Sequence, residues 1–150
     1  MKKYYLLIIF LLFNQCDYKP IYSQNNQNFG IRIIEFNENR SNKILATRLK
    51  NYSNKKNSHA LYELKLLTSE NKLILSKNTK GDPLLLGLRI NLKIEVYKKN
   101  KLITKKEYNE QFNYQNLSKK FELNSYENEI RLNIYNKMIS KILIDLANLK

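Results

Sequence analysis

From Leu84 to Tyr97 the chain reads LLLGLRINLKIEVY, with Leu84, Leu86, Leu88, Ile90, Leu92, Ile94 and Val96 on every second position. Gly87, Arg89, Asn91, Lys93 and Glu95 fill places between them. Successive side chains of an extended backbone point to opposite sides, so this stretch predicts a strand with one dry face and one wet face. At about 3.3 Å per residue it runs roughly 46 Å, and its seven apolar side chains supply on the order of 10 to 20 kcal/mol of gross burial. A strand of that length needs a long element across its oily side.

The rest of the chain provides candidates. Phe29 to Phe36 reads as a first strand with Ile31, Ile33 and Ile34 as core residues, and Asn37 to Arg40 as a turn. From Ser41, read as the N-cap, Ile44, Leu45, Leu49 and Tyr52 recur on one helical face, and Asn51 to Ser58 ends that helix. Ala60 to Thr68 alternates with Tyr62, Leu64 and Leu66 on one side, whereas Leu73 and Leu75 fall on odd positions. That change of parity predicts a bulge or break between Ser69 and Lys72. Ser76 to Pro83, SKNTKGDP, is the longest turn-forming cluster.

Leu102 to Tyr114 carries Leu102, Tyr108, Phe112 and Tyr114 on even positions, as the central strand does. Facing residues of the two strands must then sum to an even number. This predicts a three-residue loop of Lys98, Lys99 and Asn100 and disfavours a two-residue turn, which would set the core residues opposite Ile103, Lys105 and Glu107. After a connection over Asn116 to Leu123, Asn124 and Glu127 resemble a capping box. A helix running to about Leu149, roughly 38 Å, presents Ile130, Ile134, Tyr135, Met138, Ile139, Ile142, Leu146 and Leu149 as an apolar stripe. The expectation is an α+β two-layer sandwich in the order β-α-β-β-β-α: a four-stranded, mostly antiparallel sheet with two helices on one face.

The N-terminal region has a different character. Lys2 and Lys3 precede YYLLIIFLLF, an apolar run from Tyr4 to Phe13 that is short for a membrane span and has the proportions of a signal-peptide core. It stops three residues before Cys16, the single cysteine of the 150-residue chain. That placement predicts a lipoprotein signal peptide over 1–15, lipidation at Cys16, a linker over 16–28 and one domain over 29–150. Phe13, Asn14 and Gln15 depart from the small residue usual before such a cysteine, so an uncleaved signal anchor or a secreted chain with a spare thiol is the other reading of the same residues.

Chemistry is sparse. His59 is the only histidine, aspartate occurs only at Asp17, Asp82 and Asp145, and Gly30, Gly81 and Gly87 are the only glycines. No spaced ligand set, phosphate loop or nucleophile motif emerges, so neither an enzyme nor a metal or other cofactor is expected. The formal net charge is +14, or +12 once Lys2 and Lys3 leave with the leader. An excess of that size favours polyanionic partners. The abundance of Lys, Asn, Ile and Tyr also matches what an AT-rich coding sequence alone produces. Eleven tyrosines among lysines could stack bases, but an exported chain seldom meets nucleic acid, and no such partner is expected.

The segment CDYKPIY, Cys16 to Tyr22, together with the order of elements, resembles the LPS-assembly lipoprotein family (LptE), particularly its alphaproteobacterial members. Those typically begin the mature part with Cys-Gly-Phe or Cys-Gly-Tyr, one variable residue, then Pro-Leu-Tyr. Cys16, Tyr18, Pro20 and Tyr22 match, Ile21 replaces Leu and Asp17 replaces Gly. The resemblance implies an outer-membrane lipoprotein of periplasmic orientation, seated as a plug in the LptD β-barrel, assisting its assembly and binding lipopolysaccharide on its way to the outer leaflet. Asp17 resembles a signal for inner-membrane retention. For the phosphates of lipopolysaccharide the candidate residues are Lys77, Lys80 and Arg89, in or beside the long turn, and Arg131, at the opening of the last helix. The alternative is an unrelated periplasmic lipoprotein that binds an anionic lipid or cell-wall polymer.

Overall fold

The computed structural model describes residues 29–37, 39–51 and 60–149. The leader, Cys16 and the linker to residue 28 lie outside the described residues, as do Tyr52 and His59. The elements are β1 (Phe29–Phe36), α1 (Arg40–Lys50), β2 (Ala60–Lys77), β3 (Pro83–Lys98), β4 (Lys101–Gln115) and α2 (Lys120–Ala147). The strands form one sheet in the order β1-β2-β3-β4. β1 runs parallel to β2, and the other two pairings are antiparallel. The order, the α+β class and the mixed four-stranded sheet are as the sequence predicts.

Even-numbered residues of β2 and β3 face the helices. Leu86, Leu88, Ile90, Leu92, Ile94 and Val96 are all buried, with Ile90 and Leu92 fully so. They meet Leu45 and Leu49 of α1 and Ile134, Met138 and Ile142 of α2 in one core. α1 packs on β1 and β2, and α2 on β3 and β4. Leu84, the seventh residue of the alternating set, is 56% exposed, because β3 extends past the helical layer at this end.

Several local expectations are corrected. The β2 alternation does not break between Ser69 and Lys72: pairing with β3 continues unshifted from Glu63↔Tyr97 to Ile74↔Leu86, and irregularity comes only at Ser76. Leu73 and Leu75 instead sit on the uncovered face. There Leu73 pairs with Gly87, and Leu75 lies so close over Gly87 that an added Cβ would approach its Cδ1 to 3.2 Å. The polar residues at even positions, Thr68, Glu70 and Lys72, point at the helices and find partners there. Thr68 Oγ1 donates to Asn42 Oδ1 at 2.7 Å, Ser41 Oγ donates to Glu70 at 3.1 Å, and Lys72 pairs with Glu127.

In β1 the register slips between Ile33 and Glu35, so Ile34 is the extra residue and is 45% exposed. Asn39, not Ser41, caps α1, accepting from Asn42 N–H at 2.7 Å. Ser41 and Asn42 are buried against β2, where the tertiary bonds just given hold them. α2 begins at Lys120, a turn before the Asn124 cap predicted for it. Glu122 lies in the first turn, paired with Lys119 at 2.8 Å, and Leu123 is already buried. Glu127 accepts from the Tyr114 hydroxyl at 2.7 Å rather than closing a capping box.

The β3–β4 connection satisfies parity by another route. Leu92↔Tyr108 and Leu86↔Tyr114 sum to an even number, as predicted, yet the turn has only two residues, Lys99 and Asn100, between the paired Lys98 and Lys101. Both have positive φ, 51° and 62°, the conformation that matches a tight turn to strand twist. A register shift after Val96↔Thr104 absorbs Ile103 as a bulge and restores parity. Leu102 consequently lies opposite Tyr97 on the uncovered face and is 41% exposed. Phe112, on the helix-facing side, is 45% exposed beside α2.

Candidate functional site

With both helices on one side of the sheet, the odd-numbered face of β2, β3 and β4 is left without a covering layer among the described residues. The register places one row of charges straight across it: Glu35 of β1 beside Lys65 of β2, Lys65 beside Glu95 of β3, and Glu95 beside Lys105 of β4. Lys65 Nζ lies 2.7 Å from Glu35, and Lys105 Nζ lies 2.5 Å from Glu95. The Tyr97 hydroxyl donates to Glu95 at 2.7 Å, and Lys65 Nζ is 5.6 Å from the Tyr97 ring centre.

Opposite charges on neighbouring strands favour the charged forms. The hydrogen bond to Glu35 raises the Lys65 ammonium above its ordinary value, and the bonds from Lys105 and Tyr97 lower the Glu95 carboxyl. This row, Leu67 and the adjacent Lys93 and Glu107 line a depression of about 680 Å³ on the sheet. Such a surface can recognise by hydrogen bonds and charge. Its charged groups already satisfy one another across the strands.

The four predicted ligand residues do not converge. Lys77 and Lys80 stand exposed at the β2–β3 turn, which Asn78 shapes by accepting from the N–H groups of Lys80 and Asp82, both at 2.9 Å, while Gly81 takes φ 89°. Arg89 lies on the uncovered face, donating through Nε and Nη2 to Gln111 at 3.0 and 2.8 Å. Arg131 is on the other side of the sheet, its Nη2 2.6 Å from Glu70, with only 15% of its side chain exposed. Burial tends to raise the Glu70 carboxyl, but the bonds from Arg131 and Ser41 outweigh it and hold the group below its ordinary value.

The cross-strand charge row escaped the sequence reading. Its members appear there as polar filler at the wet positions of separate strands. The available signal was their alternating sign once the strands are set in register.

A second polar seam joins β4 to α2. Tyr108 donates to Asp145 at 2.5 Å, and Glu110, nearly buried, accepts from Lys137 at 2.7 Å and also from Lys141. Burial first, and Asp145 second, push the Tyr108 hydroxyl well above the tyrosine range. These contacts fix the long helix on the edge strand. Among the described residues no group of three His, Cys, Asp or Glu is placed to hold a metal ion, and no helix is long and apolar enough to cross a membrane.

No protein-family model matches the chain, and no curated protein matches it in sequence. Solved structures do match in fold. Rare lipoprotein B from Shewanella oneidensis superposes with a TM-score of 0.58 at 14% identity, covering 81% of this chain and 97% of the other. An uncharacterized lipoprotein B from Nitrosomonas europaea gives 0.59 at 15% identity, covering 81% and 87%. A putative lipoprotein from Caulobacter crescentus gives 0.56 at 16%, covering 78% and 87%. The chain therefore has the fold of these lipoproteins.

Proposed function

We propose that the chain is a non-catalytic lipoprotein of the LPS-assembly (LptE) type, in its alphaproteobacterial form, anchored through Cys16 at the periplasmic face of the outer membrane. There it plugs and helps assemble an LptD-like β-barrel and binds lipopolysaccharide during its transport to the outer leaflet. The observation that carries this reading is the fold held in common with rare lipoprotein B, which is LptE, over nearly the whole of the Shewanella chain. Two features add support. The CDYKPIY segment stands where a lipoprotein's mature chain would begin, and a sheet face that no described residue covers suits a module that works by contact. The scattered cations Lys77, Lys80 and Arg89 offer phosphate partners at and beside the far turn, whereas Arg131 is already engaged by Glu70.

The experiment is purification of the tagged full-length protein from solubilised membranes. Co-elution with a large outer-membrane barrel is expected. Recovery as a free monomer would count against the plug and favour the alternative, a lipoprotein holding an anionic lipid or cell-wall polymer on its own.

A further inference from the structure

The end of the sheet where β1 begins carries a cationic and apolar surface that neither the barrel nor lipopolysaccharide reading uses. Lys98, Lys99 and Lys101 crowd the β3–β4 turn, and none of them forms an ion pair among the described residues. At the same end of the sheet Leu61 and Leu102, on the uncovered face, and the bulged Ile103 are 40%, 41% and 41% exposed. Lys98 and Lys101 pair on the helix-facing side, Leu102 lies on the uncovered side, and Lys99 is in the turn between. Cations and apolar side chains therefore meet at the tip of the hairpin, the composition of an edge that sits in the headgroup layer of an anionic bilayer.

The turn's backbone adds an independent reason to see function here. Lys99 sits at φ 51°, a conformation in which Asn or Gly is easier to hold. A cation stands there against local preference, and such departures concentrate where a chain does work other than folding.

The same end is where the N-terminal tether joins the domain. Phe29, the first described residue, stacks edge-on against Tyr62 with ring centres 5.8 Å apart, and Lys98 Nζ stands 5.7 Å from that same Tyr62 ring. The sheet therefore brings the point of entry and the lysine turn into contact through one shared tyrosine. Cys16 precedes Phe29 by thirteen residues, a reach of at most about 45 Å. The opposite turn lies the length of β3 away, roughly 50 Å for its 16 residues.

We propose that the β3–β4 turn docks on the anionic phospholipid surface of the bilayer that holds the lipid anchor, with Lys98, Lys99 and Lys101 at the headgroup phosphates and Leu102 and Ile103 among the headgroups. This inference rests on the anchored-lipoprotein reading for its tether, but the surface itself lies wholly within the folded domain. Docking there points the β2–β3 turn, with Lys77 and Lys80, away from the bilayer.

The chain contains no tryptophan, so a single introduced one reports its own surroundings. Leu102→Trp places the reporter at the proposed contact, and Leu84→Trp places it at the far end, both at exposed strand positions. The mature protein is reconstituted in vesicles of phosphatidylethanolamine with about a third phosphatidylglycerol, or of phosphatidylcholine alone, at low salt and at about 0.5 M salt. Emission from Leu102→Trp is expected to shift to the blue only in the anionic vesicles at low salt, while Leu84→Trp stays water-like throughout. Replacing Lys98, Lys99 and Lys101 by Gln should lower the ratio of docked to undocked protein by about fivefold per lysine, and replacing them by Arg should retain it. A Leu102 reporter that stays water-like, or two reporters that respond alike, overturns the proposal whatever the state of the N-terminus. The mass of the N-terminal peptide from the same sample separates the two readings. An unmodified Cys16 with the reporter contrast intact refutes the anchor and leaves the docking surface standing.

Discussion

Arg131 Nε lies 2.9 Å from one oxygen of Glu70 and Arg131 Nη2 lies 2.6 Å from the other, so the α2 guanidinium grips the β2 carboxylate along two parallel hydrogen bonds. Asn128 accepts a further bond from the same guanidinium at 2.7 Å, and Ser41 of α1 donates to the same carboxylate. One pair thereby ties both helices to the middle of the sheet at a point where β2 presents polar residues inward.

Breaking that grip exposes its worth. Glu70→Gln or Arg131→Met should each cost about 2 kcal/mol, as expected for a charge-assisted bond that leaves its partner only partly solvated. The Glu70 carboxyl is held below its ordinary value, so its contribution is fully present above the unfolded value of about 4.3 and is lost as pH falls through the lowered folded value. Urea unfolding of the wild type and Glu70→Gln should therefore differ at about pH 6 and converge toward about pH 3. An unchanged gap across that range would show that Glu70 does not titrate with unfolding.

The two faces of the sheet should respond differently to the same change. Leu92 is fully buried under the helices, and Leu92→Ala should cost about 3 kcal/mol. Leu67 lies on the uncovered face, 54% exposed, and Leu67→Ala should stay within about 0.5 kcal/mol. Similar losses at both positions in denaturant titrations would mean that something covers the odd-numbered face.

The seat of α1 offers a third test. Thr68 Oγ1 meets the buried Asn42 side chain, whose amide also donates to the Asn37 carbonyl at 3.0 Å. Thr68→Val keeps the shape but strands the Asn42 acceptor, a loss of about 1 to 2 kcal/mol. Asn39→Ala removes the cap and should cost about 1 kcal/mol. Because the Thr68 hydroxyl also lies within donating distance of Asn39 Oδ1, at 3.1 Å, the double variant should lose less than the sum of the single losses, as thermal melts can show.

These contacts explain how far the sequence could be read. The β3 pattern was legible because its alternation reflects one physical cause, a dry face under two helices. The polar run Thr68 to Lys72 looked like a broken strand because the partners of its inward residues, Asn42, Arg131 and Glu127, lie far away in the chain. Arg131 looked like a free cation for the same reason, since Glu70 is 61 residues distant. The row Glu35, Lys65, Glu95 and Lys105 has no local signature at all. It exists only when four strands are in register, and a slip of one residue in any strand would scatter it.

The β3–β4 hairpin gives the sharpest test of register. Lys98↔Lys101 and Tyr97↔Leu102 follow a two-residue turn, Val96↔Thr104 follows the bulge, and every later pair keeps the second register. Deleting Ile103 removes only the extra residue: Thr104 then succeeds Leu102 in plain alternation and still faces Val96, with Tyr108 and Tyr114 inward as before. That variant should fold with a loss of about 1 kcal/mol or less, since a bulge residue makes no ladder bond. Deleting Asn109 instead moves Glu110, Phe112 and Tyr114 out of register with β3 and turns Tyr114 away from Glu127, which should prevent stable folding. Replacing Lys99 and Asn100 by Asn and Gly should add about 1 kcal/mol, because those residues accept positive φ more readily. Circular dichroism and urea midpoints on the three variants distinguish the bulge from the three-residue loop that parity alone suggests. If deletion of Ile103 proved as damaging as deletion of Asn109, Ile103 would be a ladder residue and the two-residue turn would be wrong.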